Sequence, residues 1–182
     1  MNAIPNIRTD RLILREHILQ DFDALHAMWS EPAVYRHIIG RPSTREEAWS
    51  RLLRYSGHWR LLGYGYWAVE ERATGNFVGE MGFADYHRDI DPPINGRPEL
   101  GWTLKTAVHG KGYATEALQS IAAWGDAHFA GKETSAMIAP ENTASIRVAE
   151  KIGFVRKLET TYKGEPTLVF YRSSPLHGRP RT

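Results

Sequence analysis

The chain has 182 residues, of which 42% are hydrophobic and 24% charged, with a formal net charge of +2 and no cysteine. That length suits one domain, which buries about 70% of the unfolded surface and needs no cross-link. Lack of cysteine excludes a disulfide framework, thiolate metal sites, iron–sulfur clusters and a cysteine nucleophile. The small net charge gives no case for a nucleic-acid partner or a membrane surface, and no stretch approaches about 18 uninterrupted apolar residues. A cytoplasmic location is expected, as are a folded domain over 1–172 and a flexible tail over 173–182.

Leu12 and Leu14 alternate with arginines, which predicts a first strand over 11–16. Asp21 opens a predicted helix carrying Phe22, Leu25 and Trp29 at helical spacing, and Pro32 is expected to stop it. Ser43-Thr44-Arg45-Glu46 has the capping-box form, and a second helix follows with Trp49, Leu52, Leu53 and Tyr55. Strands are expected over 64–71 and 77–84, joined through Thr74, Gly75 and Asn76. Residues 86–98 form a polar loop dense in Asp, Pro and Gly. A strand over 99–104 leads to the longest helix, 112–130, buried through Ala114, Leu118, Ile121, Trp124 and Phe129. A strand near 134–138, a helix near 143–152 and strands near 154–162 and 167–172 complete the chain. About seven strands and four helices make an α+β (mixed α/β) fold, a twisted sheet flanked by helices.

The most informative stretch is the passage from the strand beginning at Glu99 into His109-Gly110-Lys111-Gly112-Tyr113-Ala114. A glycine turn that opens a helix converges unpaired N–H groups at the positive end of the helix dipole, an arrangement suited to a phosphate or pyrophosphate. Gly110 and Gly112 would admit the anion closely, and Lys111 adds a charge. The turn is neither a P-loop, because Gly112 follows Lys111, nor a dinucleotide fingerprint, because Thr115 stands three residues after Gly112. On spacing alone, a plain tight turn accounts for these glycines equally well.

Four segments in order resemble the GCN5-related N-acetyltransferase superfamily (GNAT), and within it the branch of ribosomal-protein N-terminal acetyltransferases. They are Thr9–Arg15, the hairpin of Tyr66–Glu70 with Thr74–Gly79, the run from Glu99 through Trp102 to Gly110–Ala117, and Asn142–Phe154. The resemblance implies acetyl-CoA as co-substrate, lying in a V-shaped opening between splayed central strands. It places the pantetheine arm on the backbone of Trp102, Thr103 and Leu104. The pyrophosphate would rest on the amides of His109, Gly110, Lys111, Gly112, Tyr113 and Ala114. His109 stands where the superfamily usually has Arg or Gln, which implies weaker or more pH-sensitive binding unless it is a solvent-facing spectator.

Asn142 and Ser145 share a helical stripe with Ala149 and Ile152. Asn142 reads as a helix cap, as a pantetheine ligand by the resemblance, or as both. The tyrosine that many superfamily members use as an acid maps to Ala149, so it is absent, and the resembled branch suggests Ser145 as the thiolate's hydrogen-bond donor instead. A serine bonded only to its own helix is the alternative. An amine with a pKa near about 10 needs a base before it attacks a thioester, and without cysteine direct attack in a ternary complex is the natural route. Glu99 leads the candidates for the base, against a plain strand-end salt bridge; Glu80, then His37 and His87, follow.

No metal site is expected. Asp85, Asp89 and Asp91 would either attract a cationic amine or solvate their loop, and the aromatic run Tyr55, Trp59, Tyr64, Tyr66 and Trp67 reads as core more than pocket. The expected activity is acetyl transfer to a primary amine of a small molecule or a protein N-terminus. The competing reading is a non-catalytic acyl-CoA-binding module. A homodimer is compatible with the sequence, although no heptad or apolar stripe demonstrates one.

Overall fold

A computed structural model describes residues 3–175. Eight strands form one sheet in the order β1-β2-β3-β4-β5-β6-β8-β7. They are β1 (Ile7–Arg8), β2 (Leu12–Arg15), β3 (Tyr66–Glu71), β4 (Phe77–Ala84), β5 (Glu99–Leu104), β6 (Thr134–Ile138), β7 (Val155–Tyr162) and β8 (Glu165–Arg172). The helices are α1 (Phe22–Met28), α2 (Pro32–Tyr35), α3 (Arg45–Leu62), α4 (Tyr113–His128) and α5 (Thr143–Lys151). All neighbouring strands are antiparallel except β5 and β6, whose parallel pairing has one registered contact, Glu99 with Ser135. This is the expected mixed α+β sheet, with the two-residue β1 and four-residue α2 in addition.

The period-two alternation of the strands divides the molecule into two packed faces. Trp67, Val69, Met81, Phe83 and Leu100 bury against Leu118 and Ile121 of α4. The intervening Tyr66, Ala68 and Ala84 bury with Leu25 and Met28 of α1 and Leu52 and Tyr55 of α3. Gly125 lets α4 sit on the sheet, because a Cβ there would lie 2.8 Å from the Phe83 ring. The aromatic run is core: Tyr55 and Trp67 are fully buried, and the Trp67 indole donates to the Pro5 carbonyl at 2.8 Å.

Two helix signals correct the sequence expectation. Pro32 does not stop a helix but starts α2, where its missing N–H costs nothing and its fixed φ fits the first turn. The capping box belongs to Thr44 and Glu47, one residue later than the sequence form suggests. Thr44 accepts from the Glu47 amide at 3.2 Å and its own amide donates to the Glu47 carboxylate at 2.9 Å. Of the expected tail, Ser174 is buried, and 176–182 lie outside the described residues.

Between β2 and α1 a polar knot is folded inward. The Arg15 guanidinium grips Asp21 through two 2.8 Å bonds and reaches Glu70 at 2.8 Å. Beside it His17 is buried and stacked on Tyr55 at 5.0 Å, with neither ring nitrogen hydrogen-bonded among the described residues. Burial pulls the His17 pKa down to about 4, against the opposing attraction of Asp21. The folded state therefore holds a neutral imidazole where the unfolded chain takes a proton near pH 6.5. Stability is unaffected by this group above pH 6.5 and falls as pH drops from there toward 4, by up to about 3 kcal/mol. Denaturant titrations across that window should show this slope in the wild type and its loss in His17→Phe.

Candidate active site

The site begins where β5 and β6 part. The Lys105 amide donates to the Val78 carbonyl at 2.9 Å, which fixes the phase of the β4–β5 ladder. In an antiparallel pair hydrogen-bonded positions alternate, so Thr103 and Gly101 spend their backbone groups on Glu80 and Gly82. Trp102 and Leu104 then turn their N–H and C=O groups toward β6. On that side pairing ends at Glu99 and Ser135, where the Ser135 amide donates to the Pro98 carbonyl at 3.0 Å. Past that point the strands flank a split, one side of which carries a row of outward amide groups.

The split leads to the glycine turn. A single 3-10 turn, Thr106–Val108, follows β5, and the Thr106 amide is held by Glu31 at 2.7 Å. Gly110 and Gly112 both adopt the left-handed region, with φ of 76° and 80°, on either side of Lys111. The amides of Gly110, Gly112, Tyr113, Ala114 and Thr115 have no hydrogen-bond partner among the described residues. They converge at the N-terminus of the 16-residue α4, with the Lys111 side chain alongside. Successive amides in such a turn form an anion-binding concavity that the helix dipole reinforces. The amides of His109 and Lys111 are engaged, by the carbonyls of Thr106 at 3.0 Å and Val108 at 3.4 Å. The exposed His109 directs Nε2 at the Leu104 carbonyl, 2.9 Å away.

What holds this turn was invisible as a contact in the sequence. Glu116, in the first turn of α4, accepts from the Thr9 hydroxyl at 2.6 Å and from the amide and Nε of Arg11 at 2.8 and 2.6 Å. Arg11 also donates to the Lys111 carbonyl at 2.9 Å and lies over the Tyr113 ring. The Tyr113 hydroxyl donates to Glu71 at 2.5 Å.

Across the split, Asn142 caps α5, its Oδ1 accepting from the Ser145 amide at 3.2 Å. Asn142 and Ser145 are half-buried, whereas Ala149 and Ile152 on the same stripe are buried. The Ser145 hydroxyl has no partner among the described residues.

On the α3 side of the sheet, β5 presents Glu99, Gly101 and Thr103. Arg88 clamps both Glu99 oxygens, at 2.6 and 2.7 Å, so the salt bridge anticipated for a strand-end carboxylate is present. The Tyr66 hydroxyl lies over Gly101, where a Cβ would stand 1.9 Å from it. Glu80 is fully buried, accepting from Tyr55 and, at 3.0 Å, from the Trp29 indole, while its Oε2 has no partner. Burial pushes the Glu80 carboxyl up, opposed by Arg51, Tyr55 and Trp29. His37 is half-buried and His87 exposed, the latter 3.9 Å from Asp85. The 85–98 loop is less polar than it reads, because Ile90 and Ile94 bury against Val169. No group of three potential metal ligands occurs among the described residues.

Residues 11–155 match the model of the acetyltransferase (GNAT) domain, and the chain belongs to that family. An uncharacterised N-acetyltransferase of Bacillus licheniformis, p20, is 29% identical over 150 residues, covering 82% of each chain. A solved Bordetella pertussis protein assigned to the GnaT family superimposes with a TM-score of 0.83 at 30% identity, over 93% of this chain and 99% of that one. The ribosomal L7/L12 α-N-protein acetyltransferase RimL in complex with coenzyme A shares the fold, with a TM-score of 0.75 at 17% identity over 93% and 98% of the two chains.

The Gly101 contact is open to a direct test. Gly101→Ala should cost about 1–3 kcal/mol by overpacking, and adding Tyr66→Phe should recover part of that loss. Denaturation midpoints of the two variants check both statements.

Proposed function

We propose that the protein is an acetyl-CoA-dependent N-acetyltransferase that acts on a primary amine, of a small molecule or a protein N-terminus, by direct attack in a ternary complex. The observation that carries this reading is the union of an open β5–β6 split with a turn of free amides at its end. The residues fit the co-substrate. Outward backbone groups of Trp102 and the amide of Leu104 match the extended amides of a pantetheine arm, with Thr103 holding the strand to β4 and the Leu104 carbonyl met by His109. The unpartnered amides of Gly110, Gly112, Tyr113 and Ala114 match a pyrophosphate. His109 and Lys111 border it, and Asn142, whose Oδ1 caps α5, would offer its Nδ2 to the arm.

In the reaction the amine nitrogen forms a bond to the thioester carbon and the carbon–sulfur bond breaks. The ammonium proton passes to a carboxylate, for which Glu99 is the first choice, directly or through a water. The Ser145 hydroxyl donates a hydrogen bond to the departing thiolate. Placement on rigid strand and helix supplies orientation, the larger share of such catalysis.

Calorimetric titration with acetyl-CoA should give one-to-one, micromolar binding, and thiol release should follow on addition of a suitable amine. Ser145→Ala should lower turnover about 10- to 100-fold with acetyl-CoA affinity unchanged. Absence of acetyl-CoA binding would overturn the reading, and unchanged turnover in Ser145→Ala would remove that residue from the chemistry.

A further inference from the structure

The environment of Arg88 is that of a ligand more than of a surface side chain. Its guanidinium lies 4.5 Å from the centroid of the Tyr86 ring and 4.9 Å from that of Tyr162. Its Nε and Nη2 donate to the two oxygens of Glu99, whose side chain is 10% exposed. Two aromatic faces and a carboxylate enclosing one cation are the elements of an ammonium- or guanidinium-binding box. The walls come from separate parts of the chain: Tyr86 from the loop, Tyr162 from the end of β7, and Glu99 from β5. The Tyr86 ring also has the Arg54 guanidinium at 5.3 Å and the Tyr162 ring the Lys163 ammonium at 5.5 Å, but neither cation pairs with a carboxylate among the described residues.

The box stands at the point where chemistry is expected. Glu99 is the last β5 residue paired with β6 before the split opens. A small hollow lined by Ala84, Asp85, Tyr86, Arg88, Asn95 and Glu99 adjoins it, and the Asp85 carboxylate adds negative charge there. Arg88 is carried by the connection between β4 and β5, so a rotation of its side chain alone would vacate the box with both strands in register.

We infer that Tyr86, Tyr162 and Glu99 form the binding box for the acceptor's cationic amine, and that Arg88 is an internal occupant which the acceptor displaces. This rests on the acetyltransferase reading for its place in a reaction, but not for the existence of the site. The box takes an alkylammonium or guanidinium head and excludes neutral or acidic amine donors. Displacement of Arg88 also frees the Glu99 oxygens, which are otherwise both engaged.

The probes are methylguanidinium and n-butylammonium, titrated into the full chain. Arg88→Ala should bind both at least about 10-fold more tightly than the wild type does, and adding Glu99→Gln should abolish that binding. With an amine substrate, methylguanidinium should inhibit Arg88→Ala competitively. Restoration of Arg88→Ala turnover by methylguanidinium would instead mark Arg88 as a positioning residue, and equal probe affinity in wild type and variant would leave no box; either result overturns the inference. Arg88→Met, which keeps the packing of the stem on the two rings, serves if the alanine variant does not fold, and failure of both to fold would make Arg88 purely structural. Acetyl-CoA titration of the same variants reports separately on the acetyltransferase reading, because the box requires no co-substrate to bind a cation.

Discussion

The structure turns on one interrupted ladder. A sheet normally satisfies its interior backbone groups through its neighbours, and a parallel pair runs along most of its length. Here β5 and β6 meet at one position, Glu99 with Ser135, and then separate. Leaving buried amide groups unpaired costs about 1–3 kcal/mol each, so such a gap persists only where water or an extended ligand takes the place of the missing strand. Everything adjacent preserves the separation. The β4 ladder holds β5 from the other side, β8 pairs with β6 along its whole length, and the two helices flanking the gap start on Gly112 and Asn142.

The geometry of the glycine turn depends on a contact over 100 residues long in sequence. Thr9 and Arg11 at the edge of the sheet fix Glu116, and Arg11 fixes the Lys111 carbonyl. The Arg11 side chain is 48% exposed, so its ion pair contributes little stability by itself, of order 0–1 kcal/mol. Its value is geometric. Two glycines in the left-handed region make a permissive hinge, and the Thr9–Arg11–Glu116 network restrains it from outside the turn's own residues. The Thr-Asp-Arg-Leu opening, read from sequence only as a strand and a point of resemblance, is thereby structurally part of the turn.

Features set by local physics were legible in advance. β4, β5 and β6 fall at the expected residues because each is bounded by turn chemistry and patterned for burial. The glycine turn and the α5 cap were readable because left-handed φ and a side-chain cap act within four residues. Pro32 misled because a proline both ends one helix and suits the first turn of the next, and only the chain path at Ser30 and Glu31 decides between them. The capping box slipped by one residue because Ser43 with Glu46 and Thr44 with Glu47 satisfy the same pattern, and only the backbone, extended at Thr44 and helical from Arg45, decides between them. What sequence could not show was which charges meet. Arg88 and Glu99 lie at the two ends of a loop whose closure depends on Ile90 and Ile94 burying against β8, and nothing in a run of Asp, Pro and Gly advertises that.

The two carboxylates on the α3 face illustrate how environment divides roles between like side chains. Glu80 and Glu99 occupy neighbouring strands at the same sheet face, yet their surroundings differ in the term that matters. Glu80 is fully buried and makes no ion pair among the described residues; burial raises its pKa, and its neighbours Tyr55 and Trp29 are neutral donors that tie β4 to α1 and α3. A group so placed stabilises packing and resists acquiring charge. Glu99 instead lines a small hollow and is met by the Arg88 guanidinium, which itself lies over the rings of Tyr86 and Tyr162. Of the two, only Glu99 has surroundings that a cationic amine could share. On the β5–β6 side of the sheet the contrast is with backbone: the amides of Gly110, Gly112, Tyr113 and Ala114 have no partner among the described residues, and the Leu104 carbonyl is met only by the His109 ring.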